Sequence, residues 1–406
     1  MRLLFVAQRY GHEVAGGAEL HCRQFATRLA ERGHDVAAVT SCAVSYVDWA
    51  DWYPQGVSEL DGVEVHRLAV ARRRDDRLFA SLDHRVVWGR KPVPFHLQRE
   101  WMRLQGPFLP ALGPWLAEHA ASYDVVVFFT YLYYTTWAGL PVASGIAPTV
   151  LHPTAHDEPA LALPLFDTTF RHPTAFAFST EEERTLVERR FGIRPAHRVV
   201  GIGFDLDGHG DGDRFRSRFG LGSDPYLLFV GRIDPGKGSD ELFDFFCAFK
   251  DRNPGPLRLV VVGEPIKPLP PHPDVVVTGF VDDETKHDAY AGAVALVQPS
   301  YFESFSMVLS EAWIHGLPAL VQGHCDVLVG QALRSGGGIP YSCFEEFEVA
   351  VLRLLDEPRL GRALGHRGRQ FVERRYAWDV VMRRYEELLV VARTWPSRRR
   401  EARQAE

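Results

Sequence analysis

Lysine is nearly missing from this chain: 406 residues contain five lysines against 41 arginines, and the formal net charge is -6. A mildly acidic chain of this kind has no global attraction to nucleic acid, and no nucleic-acid partner is expected. Cysteine is sparse too. The five (Cys22, Cys42, Cys247, Cys325, Cys343) are odd in number and scattered. With no CxxC pair they offer neither a zinc knuckle nor a disulfide framework, so reduced thiols in the cytoplasm are expected. No apolar run reaches the roughly 18 residues of a membrane helix. The apolar start Met1–Ala7 is too short for a signal sequence and meets Arg9. Also absent are HExxH, a third glycine after Gly201-Ile202-Gly203, and a G-x-S-x-G nucleophile turn.

What is present is the balance of a globular protein, 46% apolar and 24% charged. The length favours two or three domains. Short β-branched runs alternate with amphipathic helix-length segments. Strands are expected at Leu3–Ala7, Val36–Thr40, Val63–Leu68, Val125–Phe129, Thr149–His152 and Ala175–Ser179. A helix with Ala18, Cys22, Phe25, Ala26 and Leu29 on one face should stop at Gly33. The alternation restarts at Tyr226–Val230, Leu257–Val262, Val275–Thr278, Ala295–Gln298 and Ala319–Val321. Runs apolar on both faces suit parallel sheets covered by helices, and two such series imply two doubly wound α/β domains. A single (β/α)8 barrel is the competitor, made awkward by the strand-poor stretch from Arg72 to Ala121. The glycines between Pro195 and Ser223 read as a linker. The expected division is 1–197, then 198–375, with a helix at about 376–396 returning to the first domain and a frayed tail at 397–406.

Two constellations in the second half carry chemistry. Val230-Gly231-Arg232-Ile233-Asp234-Pro235-Gly236-Lys237-Gly238 follows a strand and opens a helix. Two cations on a glycine-rich turn before a helix N-terminus suit a diphosphate, although a plain turn with solvated charges has the same pattern. Pro299-Ser300-Tyr301-Phe302-Glu303-Ser304-Phe305-Ser306-Met307 likewise links a strand to a helix, with Ser304 and Ser306 as candidate caps. Free N–H groups near Phe305–Met307 can meet an anion, and Glu311, inside the helix, can accept two vicinal hydroxyls. Alone, Glu311 reads as a solvated helix position.

Together these residues resemble the family 4 retaining glycosyltransferases, which have the GT-B fold: two facing Rossmann-like doubly wound domains with a cleft between them. The resemblance rests on Glu303-x7-Glu311, on Pro-Ser-x-x-Glu-Ser-Phe before it, on Glu-Ala-x-x-x-Gly-x-Pro to Pro318, and on Gly-Arg-x-x-x-x-Lys-Gly from Gly231. It implies that Arg232 and Lys237 hold the diphosphate of a nucleoside-diphosphate sugar and stabilise its departure. Glu303 would bind hydroxyls of the donor sugar and Glu311 those of the ribose. Phe305, Ser306 and Met307 would supply backbone amides, Phe280 and Val281 would lie along the base, and Gly263 would line the site. No cofactor and no metal are implied. Asp205-x-Asp207 and Asp211-x-Asp213 look like metal ligands of another glycosyltransferase fold but fall in the presumed hinge.

In the first half, Gly16-Gly17-Ala18-Glu19 resembles the family's donor-facing glycine turn, which makes Gly16 and Gly17 donor contacts. His156-Asp157 resembles its His-Asp pair, whose histidine lies beside the transferred sugar. Glu181–Glu183 read as an acidic first turn without a function. The acceptor is a hydroxyl of a glycan, lipid-linked or small molecule. The segment Arg72–Trp115, with Arg72, Arg73, Arg74, Arg77, Arg85, Arg90 and Arg99 among Phe79, Trp88, Phe95 and Trp101, has the composition to dock an anionic membrane peripherally. Equally it fits a solvated helical insert. The competing functions are a sugar-nucleotide epimerase and a non-catalytic nucleotide-sugar-binding module.

Overall fold

The computed structural model describes residues 1–14, 16–89, 92–193, 195–233, 235–264 and 271–405, without the side chains of Pro235 and of residues 395 onward. It divides into two compact units: Met1–Gly201 with Val381–Glu406, and Ile202–Val380. Each unit is built around one open sheet.

Unit 1 contains β1 (Arg2–Val6), β2 (Asp35–Ser41), β3 (Gly56–Leu60), β4 (Val63–Leu68), β5 (Val125–Phe129), β6 (Thr149–His152), β7 (Ala175–Phe178) and β8 (Ala196–Val199). Their order is β3-β4-β2-β1-β5-β6-β7-β8. Only the β3–β4 hairpin is antiparallel. β5, β6 and β7 are buried at every position, the pattern of strands covered on both faces. Helix Gly17–Glu31 packs Cys22, Phe25, Ala26 and Leu29 inward. It ends as expected at Gly33, whose φ of +84° lets Gly33 and His34 donate to Ala30 and Leu29. The helix Trp378–Ala405 joins this unit from Val381. There Tyr385 meets Phe25 and His152 at ring distances of 4.6 and 5.1 Å, and Glu386 takes the Arg32 guanidinium at 2.8 Å. The side chains of the segment expected to fray, 397–406, lie outside the described residues.

Unit 2 contains β9 (Tyr226–Val230), β10 (Arg258–Val262), β11 (Val275–Gly279), β12 (Ala295–Gln298), β13 (Ala319–Gln322) and β14 (Gly338–Tyr341). All pairings are parallel, in the Rossmann order β11-β10-β9-β12-β13-β14. Two open sheets rule out the closed barrel.

Three strands escaped the sequence reading: β3, β8 and β14. All lie on sheet edges and none is fully buried, so none shows an apolar run. The units divide inside the stretch read as a linker, and four of its glycines, Gly203, Gly208, Gly210 and Gly212, serve close packing. A Cβ on Gly210 would lie 2.3 Å from the His287 carbonyl, and one on Gly212 would lie 2.6 Å from Gly292 Cα. They let helix Gly212–Arg218 settle on helix Asp283–Gly292. The Arg-rich stretch forms helices Asp76–Val86, Phe95–Gln105 and Leu112–His119. Several of its charges work internally: Arg74 donates to the Leu104 and Gln105 carbonyls, Arg72 pairs with Glu100, and Trp101 donates to Asp83. Trp88 and Phe95 stay exposed.

Candidate active site

In unit 2 the strand order reverses between β9 and β12, and loops leaving neighbouring strands there in opposite directions open a crevice where ligands bind in such sheets. Both sequence constellations fall on it. Gly238 brings the two loops together: its φ is +68°, and a Cβ would sit 2.1 Å from the Pro299 carbonyl oxygen, so no other residue fits. The approach sets Lys237 Nζ 2.7 Å from Glu303 Oε1. Gln298, buried at the end of β12, donates from Nε2 to that same Oε1 at 3.0 Å and to Ser306 Oγ at 3.1 Å. The Glu303 carboxylate is thus oriented from two sides while Lys237 stays about one-third exposed. Arg232 is exposed on the first loop.

Ser306 does stand at the N-cap of helix Met307–Ile314, but its hydroxyl caps nothing. Its φ is +71° and its side chain is engaged by Gln298 instead. Phe305 turns inward, stacking on Phe204 at 6.0 Å, while its carbonyl accepts from Gln331. Core packing therefore fixes the backbone of the loop that carries the Met307 amide. Cys325, near Glu303, is no nucleophile here: burial, reinforced by that carboxylate, pushes its thiol up to about 11.

Glu311 lies one helical turn onward. Tyr290 donates to its Oε2 at 2.7 Å and Lys286 approaches Oε1 at 3.3 Å. Burial works against the Lys286 ammonium, yet Glu311 and Asp283 outweigh it and hold that group above its ordinary pKa. Neither Lys286 nor Tyr290 was read from the sequence; lysine's scarcity was the available signal. Gly263 donates its N–H to Gly279, and a Cβ on it would strike the Gly231 carbonyl at 2.0 Å. Its glycine character thus follows from three strand ends meeting. Beyond them Phe280 is 79% exposed, with its N–H donating to Glu264 and Val281 beside it. A pocket of about 390 Å³ in unit 2 is lined by Pro225, Val294 and Pro318, which lead into β9, β12 and β13. It therefore opens at the opposite sheet edge from Lys237 and Glu303.

Unit 1 has its own reversal, between β1 and β5. Gly16 is the N-cap of helix Gly17–Glu31, and a Cβ on it would lie 2.3 Å from Glu19 Oε2. Glu19 accepts from Arg9 Nε at 2.9 Å and from Gln8 at 2.9 Å, in a pair whose side chains are 4% and 7% exposed. This buried pair, unread in the sequence, braces the turn at Gly16 and Gly17. His156 lies in the loop after β6, its Nδ1 3.6 Å from Glu158 Oε1, which also takes the Tyr131 hydroxyl at 2.6 Å. Glu183, read as a merely acidic first turn, is fully buried and accepts N–H groups from Ala155 at 2.8 Å and Ser179 at 2.6 Å. It anchors the backbone next to His156. Among the described residues no group of three or more His, Cys, Asp and Glu gathers as a metal site, and no helix is long and apolar enough to cross a membrane.

Two Rossmann-like α/β units, each with its own reversal of strand order, have the architecture of the GT-B class of glycosyltransferase folds. Solved structures agree in fold. A sucrose-phosphate synthase from Thermosynechococcus elongatus matches with a TM-score of 0.70 at 19% identity, over 95% of this chain and 98% of its own. Anabaena HepE in complex with UDP and glucose matches at 0.68 and 16% identity, over 96% and 99%. Residues 224–357 match the family model described as glycosyl transferases group 1. Curated relatives include D-inositol 3-phosphate glycosyltransferases of Rhodococcus erythropolis, 33% identical over 39% of this chain and 40% of that protein, and of Rhodococcus opacus, 31% identical over 50% of each. The chain spans about half or less of the length of these two relatives.

Proposed function

We propose that this chain is a retaining glycosyltransferase that moves a sugar from a nucleoside-diphosphate sugar to an acceptor hydroxyl. The observation that carries this reading is the Lys237–Glu303 pair, oriented by Gln298 on the two switch-point loops of unit 2. In the reaction the bond between the anomeric carbon and the diphosphate oxygen breaks, and its electron pair leaves with the diphosphate. Arg232 and Lys237 neutralise the charge that develops there, the interaction that gains most strength toward the transition state. The acceptor oxygen bonds to the same face of the anomeric carbon, and its proton passes to a diphosphate oxygen. Glu303 positions the sugar hydroxyls, Glu311 the ribose, and the exposed Phe280 ring, with Val281, lies along the base. The Phe305–Met307 amides meet the sugar or phosphate, and Gly263 shapes the strand end. In unit 1, Gly16 and Gly17 face the donor and His156 the transferred sugar. With cations already at the leaving group, the chemistry needs no metal.

The relatives' names, inositol phosphate glycosyltransferase and sucrose-phosphate synthase, favour a small-molecule acceptor over a polymer. The test is release of nucleoside diphosphate from a panel of nucleotide sugars, with and without polyol acceptors. Release that requires the acceptor, with an α-linked product from an α-linked donor, is expected. Conversion of the donor without acceptor would make the chain an epimerase. Binding without turnover would make it a binding module.

A further inference from the structure

We propose that unit 2 carries a second ligand site, at the amino edge of its sheet, for a small apolar ring bearing an anionic group, a carboxylate or a phosphate monoester. The site goes beyond the glycosyltransferase reading, which concerns the opposite edge, and the two stand or fall separately.

Glycines fix the walls. Helix Pro358–Arg375 lies directly on the end of helix Met307–Ile314: a Cβ on Gly368 would strike the Trp313 ring, and one on Gly365 the Gly316 carbonyl. The first turn of the longer helix is thereby held beside the strand starts. Pro358, Gly361 and Arg362 there share a cavity of about 390 Å³ with Pro225, Val294 and Pro318, the residues that lead into β9, β12 and β13. That volume falls at the small end of ligand pockets, roughly 300–1,000 Å³, and suits a single ring. Leu317, Leu354 and Leu355 make the wall apolar.

The charge at this cavity has one sign. No carboxylate lines it, and Arg362, which does, is exposed and has no hydrogen-bond or ion-pair partner among the described residues. Arg369, roughly two turns along the same face of that helix, is fully engaged by contrast. It donates to the Ile314 carbonyl at 3.1 Å and pairs with Glu373 at 2.9 Å. The carboxylates nearest Arg362 in the chain, Asp356 and Glu357, stand outside the cavity, and Glu357 accepts from Arg353 at 3.0 Å. His315 lines the cavity as well. Its Nε2 meets His287 Nδ1 at 2.7 Å, and its Nδ1 has no partner among the described residues. Burial, and after it His287, Arg369, His209 and Lys286, hold the His315 pKa down at about 4. Cationic neighbours that disfavour a proton on the ring favour an anion beside it. An exposed arginine alone holds an anion weakly, because water screens the pair. An apolar body seated in the cavity adds its own burial and keeps the anion against the guanidinium.

The experiment is fluorine-detected NMR titration of the full chain with para-fluorophenylacetate and para-fluorophenyl phosphate, and with the neutral para-fluorophenylethanol as control. At least one anion should bind ten-fold or more tighter than the alcohol, and Arg362→Gln should bring it to the level of the alcohol. A Cβ on Gly361 would meet Leu354 and Pro318 at ordinary contact distances, 3.7 and 3.8 Å, so Gly361→Phe fills the cavity at a helical position that tolerates a side chain. That variant should lose ten-fold or more in affinity for the anion, while Lys237→Ala keeps it. Tighter binding of the phosphate identifies a phosphate monoester as the occupant, and tighter binding of the acetate a carboxylate. Should Gly361→Phe fail to fold, the exposed Arg362→Gln decides alone. Binding of neither anion, equal binding of the alcohol, or binding that survives Gly361→Phe overturns the proposal. Binding lost in Lys237→Ala overturns it too, by placing the anion on the diphosphate loops. Because no nucleotide is present, a failure of the turnover assay leaves this site standing, and its own failure leaves the donor site standing.

Discussion

The two units place a cation and a carboxylate at corresponding points, beside the reversal in strand order, and use them in opposite ways. In unit 1, Arg9 and Glu19 are sealed in, with side-chain exposures of 4% and 7%. In unit 2, Lys237 and Glu303 show 35% and 11%. A sealed pair cannot reach a ligand and spends its attraction on holding a turn. A half-open pair contributes little to stability, because water screens it, but remains available to bind. The same topology thus yields a brace in one unit and a hand in the other.

The largest effect should come from breaking the brace. Glu19→Ala leaves the Arg9 guanidinium buried without its carboxylate, which costs about 3–5 kcal/mol. Chemical denaturation should show unit 1 losing that much, while binding of a nucleoside diphosphate by unit 2 keeps its affinity. An unchanged midpoint would dissolve the contrast from one side. Next comes the hand. Lys237→Ala should cut turnover by about 10²–10³-fold, the range for removing one fixed transition-state contact. Its unfolding free energy should stay within roughly 1 kcal/mol of wild type, as for a pair that water screens. A variant that unfolds, or that turns over normally, would show the pair to be structural in unit 2 as well.

A third difference lies in pH and belongs to Glu183, since Glu13, Glu100 and Glu386 of unit 1 are held low like the shifted carboxyls of unit 2. Burial raises the Glu183 carboxyl from 4.5 to about 8, against the backbone N–H groups that favour its charge. The native state then holds this proton where the unfolded chain has lost it. Stability from this group is complete below about 4.5 and is lost as pH rises toward 8. The shifted carboxyls of unit 2 have the other sign: Asp282, through its bond from Thr285, and Asp288, through Arg214, are held below their ordinary value. Their contribution is lost on acidification instead. Amide exchange at Ala155 and Ser179 should therefore quicken from pH 5 to 8 beyond the intrinsic rate. Glu183→Gln should flatten that trend. A trend that persists in Glu183→Gln would assign it to another group.

The core strands could be read because burial on both faces leaves an unbroken apolar run, as in Val125–Phe129 or Tyr226–Val230. Edge strands leave no such trace: β3 reads Gly-Val-Ser-Glu-Leu and owes its place to pairing with β4. The candidate site residues of unit 2 were legible as a group because they cluster within short loops, Gly231–Gly238 and Pro299–Met307. Residues that act through tertiary approach were not. Nothing in the local sequence says that Gln298 will turn back onto Glu303, or that Glu183 will anchor the loop before His156. Arg9 even looked like the end of an apolar run, since its partner lies ten residues on.

The smallest effect separates holding from binding within unit 2. Tyr290 is fully buried and gives its hydroxyl to Glu311 Oε2, while Lys286 holds the opposite oxygen. With Lys286 still in place, Tyr290→Phe removes one of two restraints and should cost about 1 kcal/mol, roughly five-fold in donor affinity. Turnover at saturating donor should barely move. If Glu311 receives the ribose, that loss falls on nucleoside diphosphates and spares their 2′,3′-dideoxy forms, which have no hydroxyls to offer it. The ratio of the two dissociation constants should then shrink about five-fold in the variant. An equal loss for both forms would place Glu311 among the braces, and the division between the units would have to be redrawn inside unit 2 itself.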